Sequence, residues 1–237
     1  SIHVTPVNDA PTLLIDGAPD RATLAIDENS LPVATASGRD IDDLAHTLRF
    51  SLSGGDDAAL FQLDAVSGQL SVRTPPDFEM PQDADADGIY RVTVSVQDGQ
   101  GSSTELALQI QVRDINDAPA LQVPERVELL AQVQPGDIVG QVQGFDQDTQ
   151  DSLQFSLRDD ADGRFIIDTR AGEIRYTGQH AEDDAFGATF QLVVEVTDSN
   201  GARQQRALAV VLPPKIREVT EATPTVGNSP ADVLAFE

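Results

Sequence analysis

The chain contains no cysteine, no tryptophan and only one methionine among its 237 residues. The absence of cysteine excludes disulfide bonds and thiolate metal sites, although it does not identify a cellular compartment. Basic residues are also scarce, since 15 lysines and arginines stand against 40 aspartates and glutamates, giving a net charge of −25. This charge repels nucleic acid phosphates and anionic membranes, so we expect neither as a partner.

Catalytic motifs are missing as well. The histidines His3, His46 and His180 lie far apart, and no pair of them has a zinc-binding spacing. The sequence has no Gly-x-Ser-x-Gly elbow, no Walker loop and no dinucleotide-binding fingerprint. Acidic pairs alone would suit a glycosidase, but such a site also needs aromatic platforms for the sugar, and the chain has no tryptophan and only two tyrosines. We therefore predict that the chain is not an enzyme.

The sequence contains an internal repeat. The phrase Asn-Asp-Ala-Pro occurs at 8–11 and again at 116–119, and the two copies start 108 residues apart. Three further landmarks recur in the same order, so the set of four indicates a duplicated domain. These landmarks are Asp40-Ile-Asp42 with Asp146-Gln-Asp148, Phe61–Leu70 with Phe165–Ile174, and Val94–Asp98 with Val194–Asp198.

Strand periodicity defines the fold class. Apolar side chains occupy every second position over 90–96, 106–112 and 190–196, which is typical of strands with one face on a core. Turn dipeptides separate these segments, and helical periodicity is almost absent. The pattern predicts an all-β protein of two tandem Greek-key β-sandwich domains in a linear array, with about seven strands each. Shorter strands are predicted at 48–52, 69–73, 153–157 and 173–176.

No apolar run is long enough to span a bilayer and no signal peptide is recognisable, so we expect no membrane insertion.

The domain boundaries follow from the repeat and from the prolines. The start of the chain inside an apparent strand suggests a fragment of a longer protein. We predict the end of a preceding repeat with its linker at 1–10, repeats at 11–118 and 119–213, and a linker tail at 214–237.

The acidic residues gather at strand ends and at the joints, where carboxylate and amide oxygens suit calcium, which takes six to eight oxygen ligands. In the first copy the acidic motifs are, in order, Glu28-Asn29, Asp40-x-Asp42, Asp77-Phe-Glu79, Asp98 and Asp114-Ile-Asn-Asp-Ala-Pro. Their order resembles a cadherin repeat, and the resemblance covers residues 1–212. The stretch 77–94 is similar to the cadherin-like repeats of large bacterial surface adhesins.

The resemblance implies calcium bound at the joints of successive repeats. At the joint of the two copies, the implied ligands are Glu28, Asp77, Glu79, Asp114, the Ile115 carbonyl, Asn116, Asp117, Asp146, Asp148 and Asp198. At an upper joint, incomplete in this chain, they are Asn8, Asp9, Asp40, Asp42 and Asp98. Singly, many of these residues also fit ordinary turns, loops or caps.

One acidic segment of the first copy lies outside this pattern. Asp83-Ala-Asp85-Ala-Asp87-Gly copies the start of an EF-hand loop, but Val94 stands where the final glutamate belongs. Both a local calcium ion and a solvated loop without metal are consistent with this segment.

The second copy departs from the cadherin pattern. It has Ala131 near the expected glutamate position, a loose acidic run at 182–184 and no closing Asn-Asp. We therefore predict that it is the last repeat of the array.

The sequence as a whole predicts a calcium-binding, calcium-stiffened extracellular segment of a cell-surface adhesin. The segment is expected to be monomeric, with the neighbouring repeats of its own chain as partners, and the sequence does not identify its surface or matrix ligand. One alternative is a module that binds a partner directly, through carbohydrate recognition, protein recognition or homophilic docking. Another is a sandwich array without metal.

Overall fold

The computed structural model describes residues 7–42, 47–129, 133–179 and 187–212. These residues form two compact units. The first unit comprises the described residues up to Asp117 together with Gln147–Gln150, and the second comprises Ala118–Asp146 and the described residues from Asp151 onward. The three histidines, the predicted strand at 2–4, Ala131, the acidic run at 182–184 and the tail from 213 lie outside the described residues.

The first unit consists of two four-stranded sheets, with strand orders β1-β3-β6-β5 and β2-β8-β7-β4. β2 and β8 pair in parallel, and the other pairs are antiparallel. The strands are β1 (Thr12–Ile15), β2 (Thr23–Asp27), β3 (Pro32–Arg39), β4 (Arg49–Gly54), β5 (Phe61–Leu63), β6 (Gln69–Val72), β7 (Ile89–Gln97) and β8 (Ser103–Arg113).

The second unit has a four-stranded sheet of order β10-β17-β16-β13, a three-stranded sheet β11-β15-β14 and the pair β12-β9. β11 and β12 stand where the first unit has the continuous strand β3, and Val142 separates them. The strands are β9 (Ala120–Gln122), β10 (Arg126–Glu128), β11 (Ile138–Gln141), β12 (Gln143–Phe145), β13 (Gln154–Asp159), β14 (Phe165–Ile167), β15 (Glu173–Tyr176), β16 (Thr189–Thr197) and β17 (Arg203–Val211).

Each unit has its own apolar core, built from the alternating strand positions. In the first unit Val94, Val96 and Ile110 are fully buried, and the ring of Phe61 packs edge-on against Tyr90 at 6.0 Å. In the second unit Phe165 is fully buried. Burial of each such side chain stabilises the fold by about 1.5–3 kcal/mol. The all-β prediction is confirmed. The strand predicted at 48–52 runs from Arg49 to Gly54, with a register shift between Leu52 and Gly54.

The recurring Phe-to-Gly landmark has a structural cause. Gly68 has a φ of +71°, and a Cβ there would lie 1.9 Å from the carbonyl oxygen of Ala36. Gly172 repeats the arrangement against Val142, with a φ of +68°. A side chain is therefore excluded twice, both by the backbone conformation and by the close approach of the neighbouring strand.

The strand ends of the first unit position its acidic residues. β2 and β8 end together, with Asp27 opposite Arg113, so Glu28 and Asp114 follow side by side. The backbone N–H of Glu28 continues the ladder by donating to the carbonyl of Arg113 at 3.1 Å. β7 ends at Gln97, immediately before Asp98.

Candidate metal centre

Six carboxylates of the first unit form what we call the linker cluster. Oxygens of Glu28, Asp77 and Glu79 lie within 4.8 Å of one another, and the same holds for Glu79, Asp114 and Asp148. Glu79 therefore belongs to both groups. Asp117 joins them because its backbone N–H donates to Oδ2 of Asp148 at 2.8 Å. The members are Glu28, Asp77, Glu79, Asp114, Asp117 and Asp148.

Glu28 is the internal anchor of the linker cluster. Its side chain is only 2% exposed. Oε2 accepts the backbone N–H of Phe78 at 2.8 Å, and Oε1 accepts that of Ile115 at 2.9 Å. A buried carboxylate is thus satisfied by two charge-assisted hydrogen bonds. These bonds connect the end of β2 to the acidic loop at 77–79 and to the linker that follows β8.

The carboxylate of Glu79 has an oxygen whose hydrogen-bonding capacity is not satisfied. Its Oε2 atom is buried and has no hydrogen-bond partner. Burial raises the pKa of Glu79, and the charges of Glu28, Asp114 and Asp148 raise it further. An unpartnered buried oxygen among like charges is unfavourable unless a cation or a proton is bound.

Asp117 experiences the same repulsion. Burial raises its pKa first, followed by the charges of Glu28 and Asp148, while the amide of Asn29 opposes the rise by donating to Oδ1 at 3.2 Å. Among the described residues, no lysine or arginine side chain pairs with Glu28, Asp77, Glu79 or Asp117. The linker cluster therefore concentrates negative charge around oxygen ligands.

The upper-joint residues form a second arrangement in the first unit. The amide of Asn8 donates to Asp98 at 2.7 Å and to the hydroxyl of Ser102 at 2.8 Å. This hydrogen bond is the main reason that the pKa of Asp98 is lowered. The N–H of Asp42 donates to Oδ1 of Asp40 at 2.7 Å, which links the two acidic residues of the Asp-x-Asp motif.

One contact occurs in both sets. The N–H of Asp9 donates to Oδ2 of Asp42 at 2.8 Å, and the N–H of Asp117 donates to Oδ2 of Asp148 at 2.8 Å. Each bond joins the aspartate of an Asn-Asp-Ala-Pro phrase to the second aspartate of the next Asp-x-Asp motif. The repeated phrase therefore corresponds to a repeated contact.

The second unit carries its own group, the turn cluster, in which oxygens of Asp146, Asp151 and Asp198 lie within 4.8 Å of one another. Asp198 is 5% exposed and accepts the N–H groups of Gly201 and Ala202. The structure thus brings the predicted residues Asp146 and Asp198 together. The repeat pattern does not reveal Asp151, because no residue of the first copy repeats it.

Asp83, Asp85 and Asp87 form the loop cluster, also within 4.8 Å of one another. Asp83 is 6% exposed and accepts the N–H groups of Asp87 and Gly88. Arg91 lies 3.1 Å from Asp85 and 2.6 Å from Asp87. The guanidinium group lowers the pKa of Asp87. The loop cluster therefore contains a cation of its own, and calcium there stays a prediction.

Asp57 anchors the loop cluster and was not singled out in the sequence. It is 2% exposed, and its carboxylate accepts the N–H of Ala84 and the N–H of Arg91, both at 2.7 Å. Its own N–H donates to the carbonyl of Arg91 at 3.1 Å. The local sequence Gly54-Gly-Asp-Asp57 does not predict this burial, because the residues that pack against Asp57 are distant in sequence.

Two predicted linker residues have different contacts. Ile115 is 40% exposed, and its N–H donates to Glu28. The side-chain amide of Asn116 donates to the carbonyl of Asp117 at 2.8 Å. A ligand role for the carbonyl of Ile115 or for the side chain of Asn116 stays a prediction.

Comparison with known proteins identifies the type of domain. No protein-family model matches the chain. Human protocadherin Fat 1 is 27% identical over 162 residues, which covers 67% of this chain and 3% of that protein. Human cadherin-related family member 2 is 30% identical over 188 residues, covering 71% and 14%. The chain thus spans a small fraction of the curated relatives that it matches.

The fold agrees with these relatives. A crystal structure of human protocadherin-24 EC1-2 (form II) matches with a TM-score of 0.56 at 20% identity, covering 86% of this chain and 99% of that chain. Together, the relatives and the fold show that the chain is cadherin-like, which confirms the resemblance of its motifs to a cadherin repeat. Within the described residues, no helix is sufficiently long and apolar to cross a membrane.

Proposed function

We propose that the chain is a calcium-binding extracellular repeat segment of a surface adhesin, stiffened by the ions that it holds. The buried, unpartnered Oε2 atom of Glu79 is the observation that carries the proposal. It lies among carboxylates that raise its pKa. A bound cation would satisfy this oxygen and offset the repulsion that the carboxylates exert on one another.

The donor set fits calcium better than other common metals. All candidate ligands are oxygens, and the chain has no cysteine. Calcium prefers such hard ligands and tolerates irregular geometry, whereas zinc favours nitrogen and sulfur. In the first unit the linker cluster would hold calcium, with the upper-joint residues as a further, partial set. In the second unit Asp146, Asp151 and Asp198 would do so.

Chain connectivity explains how such ions would stiffen the array. Gln147–Gln150 belong to the first unit and continue directly into Asp146 and Asp151 of the second. Ions at Asp117 and Asp148 would therefore hold the linker and this loop to the first unit. Extracellular calcium modules bind with dissociation constants of ~10⁻⁴–10⁻³ M, so each ion adds roughly 0.5–1.5 kcal/mol at millimolar calcium. Stiffening of this size is reversible.

The setting of the protein belongs to the same proposal. The stretch 77–94 supports membership of a large bacterial surface adhesin, and the missing Asn-Asp phrase near 213 supports a terminal position for the second repeat. The segment would act as a monomeric spacer that connects neighbouring repeats. Its surface or matrix ligand would be bound elsewhere in the whole protein.

The test is limited proteolysis at the 114–120 linker, combined with small-angle scattering of the same sample, in calcium and in chelator. We expect slower cleavage and a longer maximum dimension in calcium. Asp117→Ala should weaken both effects. Asp20→Ala is the matched control, because it makes the same change at an exposed carboxylate of the first unit that lies outside all four acidic groups. Equal cleavage and equal dimensions in the two buffers would contradict the proposal.

A further inference from the structure

Asn200 lies in the turn that joins β16 to β17, and Gly201 follows it. The chain has five asparagines, and Asn200 alone precedes a glycine. Asn200 is exposed. Gly201 has a φ of +97°, and a Cβ at this position would meet nothing within 4 Å. The turn therefore leaves room at position 201, into which the side chain of Asn200 can rotate.

We propose that Asn200-Gly201 is a site of spontaneous deamidation, restrained by Asp151. In this reaction the backbone nitrogen of Gly201 attacks Cγ of Asn200, so a new C–N bond closes a five-membered imide. The Cγ–Nδ2 bond breaks, and the leaving nitrogen departs as ammonia with the proton of the Gly201 N–H. Water then opens the ring at either carbonyl and leaves an aspartate or an isoaspartate. No enzyme, oxidant or metal takes part.

Hydrogen bonds hold the turn away from the reactive geometry. Nδ2 of Asn200 lies 3.3 Å from Oδ1 and 3.2 Å from Oδ2 of Asp151. The N–H of Gly201 donates to Oδ1 of Asp198 at 2.5 Å. Ring closure requires the Asn200 side chain to rotate toward Gly201, so the bonds to Asp151 must break first. The bonds to Asp151 therefore oppose the rotation that ring closure requires.

The product would alter the turn cluster. At present an amide donor faces Asp151, and deamidation would replace it with a second carboxylate. The new charge would lie against a group that already contains Asp146, Asp151 and Asp198. The two hydrogen bonds to Asp151 would be lost, and like-charge repulsion would take their place.

The first unit provides a natural control. In the turn from Asp98 to Ser102, the N–H groups of Gly101 and Ser102 donate to Oδ1 of Asp98 at 2.5 and 2.8 Å. Gly201 and Ala202 make the same contacts with Asp198, at 2.5 and 2.8 Å. Gln100 stands where the second turn has Asn200. A glutamine would have to close a six-membered ring, which forms far more slowly.

The experiment incubates the whole chain in mildly alkaline buffer with chelator and maps its peptides by mass spectrometry over time. We expect the Asn200 peptide to gain the mass of an NH₂-to-OH exchange, while the Gln100 peptide stays unchanged. Asn200→Gln should reduce the accompanying gain of negative charge on ion exchange. Retention of the amide in the folded chain, while a synthetic 197–204 peptide loses it, would overturn the assignment.

The role of Asp151 is tested separately. Asp151→Ala should accelerate conversion of Asn200 severalfold, because it removes the acceptor of the asparagine amide. Circular dichroism would establish that the variant is folded, and Asp151→Asn, which keeps an acceptor oxygen, would serve as the conservative comparison. An unchanged or slower rate in folded Asp151→Ala would refute the restraint. Neither test involves calcium, so its result is independent of the proposed function.

Discussion

The linker cluster and the loop cluster each have a buried carboxylate as an anchor, but they differ in how their negative charge is compensated. Each is organised by one carboxylate that is 2% exposed, Glu28 in the first case and Asp57 in the second. Each anchor accepts two backbone N–H groups. In the loop cluster Arg91 pairs with the outer aspartates, and its charge opposes the burial and the neighbouring carboxylates that raise the pKa of Asp85. In the linker cluster the pKa of Glu79 is raised by burial and by neighbouring charges, and no described lysine or arginine pairs with it.

This difference shows why acidic residues at close spacing do not by themselves define a metal site. A cluster that already contains a guanidinium group gains little from a metal ion. A cluster of carboxylates that repel one another gains charge balance and a partner for its unsatisfied oxygen. The absence of a basic partner around Glu28, Asp77, Glu79 and Asp117 in the described part of the chain is therefore as informative as the carboxylates themselves.

The largest expected effect separates the two anchors. Asp57→Ala and Glu28→Ala should each lower the free energy of unfolding in chelator by about 2–4 kcal/mol, because each leaves two backbone N–H groups without an acceptor. Only Glu28→Ala should also reduce the additional stability that calcium provides. Urea unfolding in chelator and in calcium measures both quantities. Loss of the calcium response in Asp57→Ala would show that the comparison is wrong.

Amide substitutions at the two anchors separate the contribution of charge from that of the hydrogen bonds. Asp57→Asn and Glu28→Gln keep one acceptor oxygen, so each should lose less stability than the corresponding alanine variant. If Glu28→Gln loses as much as Glu28→Ala in chelator, the contribution of Glu28 comes from its charge rather than from its hydrogen bonds.

Removing Arg91 should make the loop cluster resemble the linker cluster, with carboxylates that no cation compensates. Arg91→Gln removes the cation from the loop cluster while leaving its backbone N–H free to bond Asp57. The variant should bind an additional calcium ion in a calorimetric titration, and its melting temperature should depend more strongly on calcium than that of the unaltered chain. Arg73→Gln is a control that removes the same charge from an exposed arginine of the first unit. An unchanged stoichiometry would mean that the loop geometry, rather than Arg91, excludes the ion.

Much of the fold was accessible from sequence because it depends on local patterns. The alternation over 90–96 and 106–112 follows directly from one-sided burial of β7 and β8, and the glycine at 68 repeats at 172 because the same close backbone approach occurs twice. The grouping of Glu28, Asp77 and Glu79 was also predicted, since the family motif places them in order.

The charge balance was not accessible in the same way. Arg91 reads as one polar position of an alternating strand, and its pairing with Asp85 and Asp87 becomes visible only when the preceding loop folds back over it. Asp57 and Asp151 depend on contacts with residues 27 to 49 positions away. Side-chain partners at such separations depend on tertiary packing, on which periodicity carries no information.

The third prediction concerns the sign of the Glu79 effect. In chelator, Glu79→Gln should slightly stabilise the chain, because it removes a charge that burial and its neighbours disfavour. In calcium it should destabilise, because it removes a ligand. Urea unfolding of both chains in both buffers measures the two differences. The same sign in both buffers would exclude Glu79 as a ligand.

Acid provides a second test of the same residue. The folded chain has a raised pKa at Glu79, above the ordinary 4.5. As the pH falls through that raised pKa, the folded state takes up the proton before the unfolded state does. In chelator the unaltered chain has a lower free energy of unfolding than Glu79→Gln, and this difference therefore shrinks. The difference vanishes once the pH lies below the pKa of Glu79 in the unfolded chain. Comparison with the glutamine variant cancels the contributions of other groups.

The smallest expected effects lie within the loop cluster. The side chain of Asp85 is 61% exposed and lies 3.1 Å from Arg91, whereas Asp87 is 38% exposed and lies 2.6 Å away. Asp87 also accepts the N–H of Ile89 at 2.8 Å. Asp85→Asn should therefore shift the melting temperature less than Asp87→Asn, and both shifts should be small beside that of Asp57→Ala.

A double-mutant cycle with Arg91→Gln assigns these shifts to the ion pairs. The coupling of Arg91 with Asp87 should exceed its coupling with Asp85, and both should shrink as salt is added, because exposed pairs are screened. The pKa of Asp87 is lowered mainly by its bond to Arg91, so its contribution is complete above the ordinary aspartate value and disappears as the pH falls through the lowered one. Coupling that persists at high salt would instead indicate that Arg91 acts through packing of the loop, and the analogy between its guanidinium group and a bound calcium ion would fail.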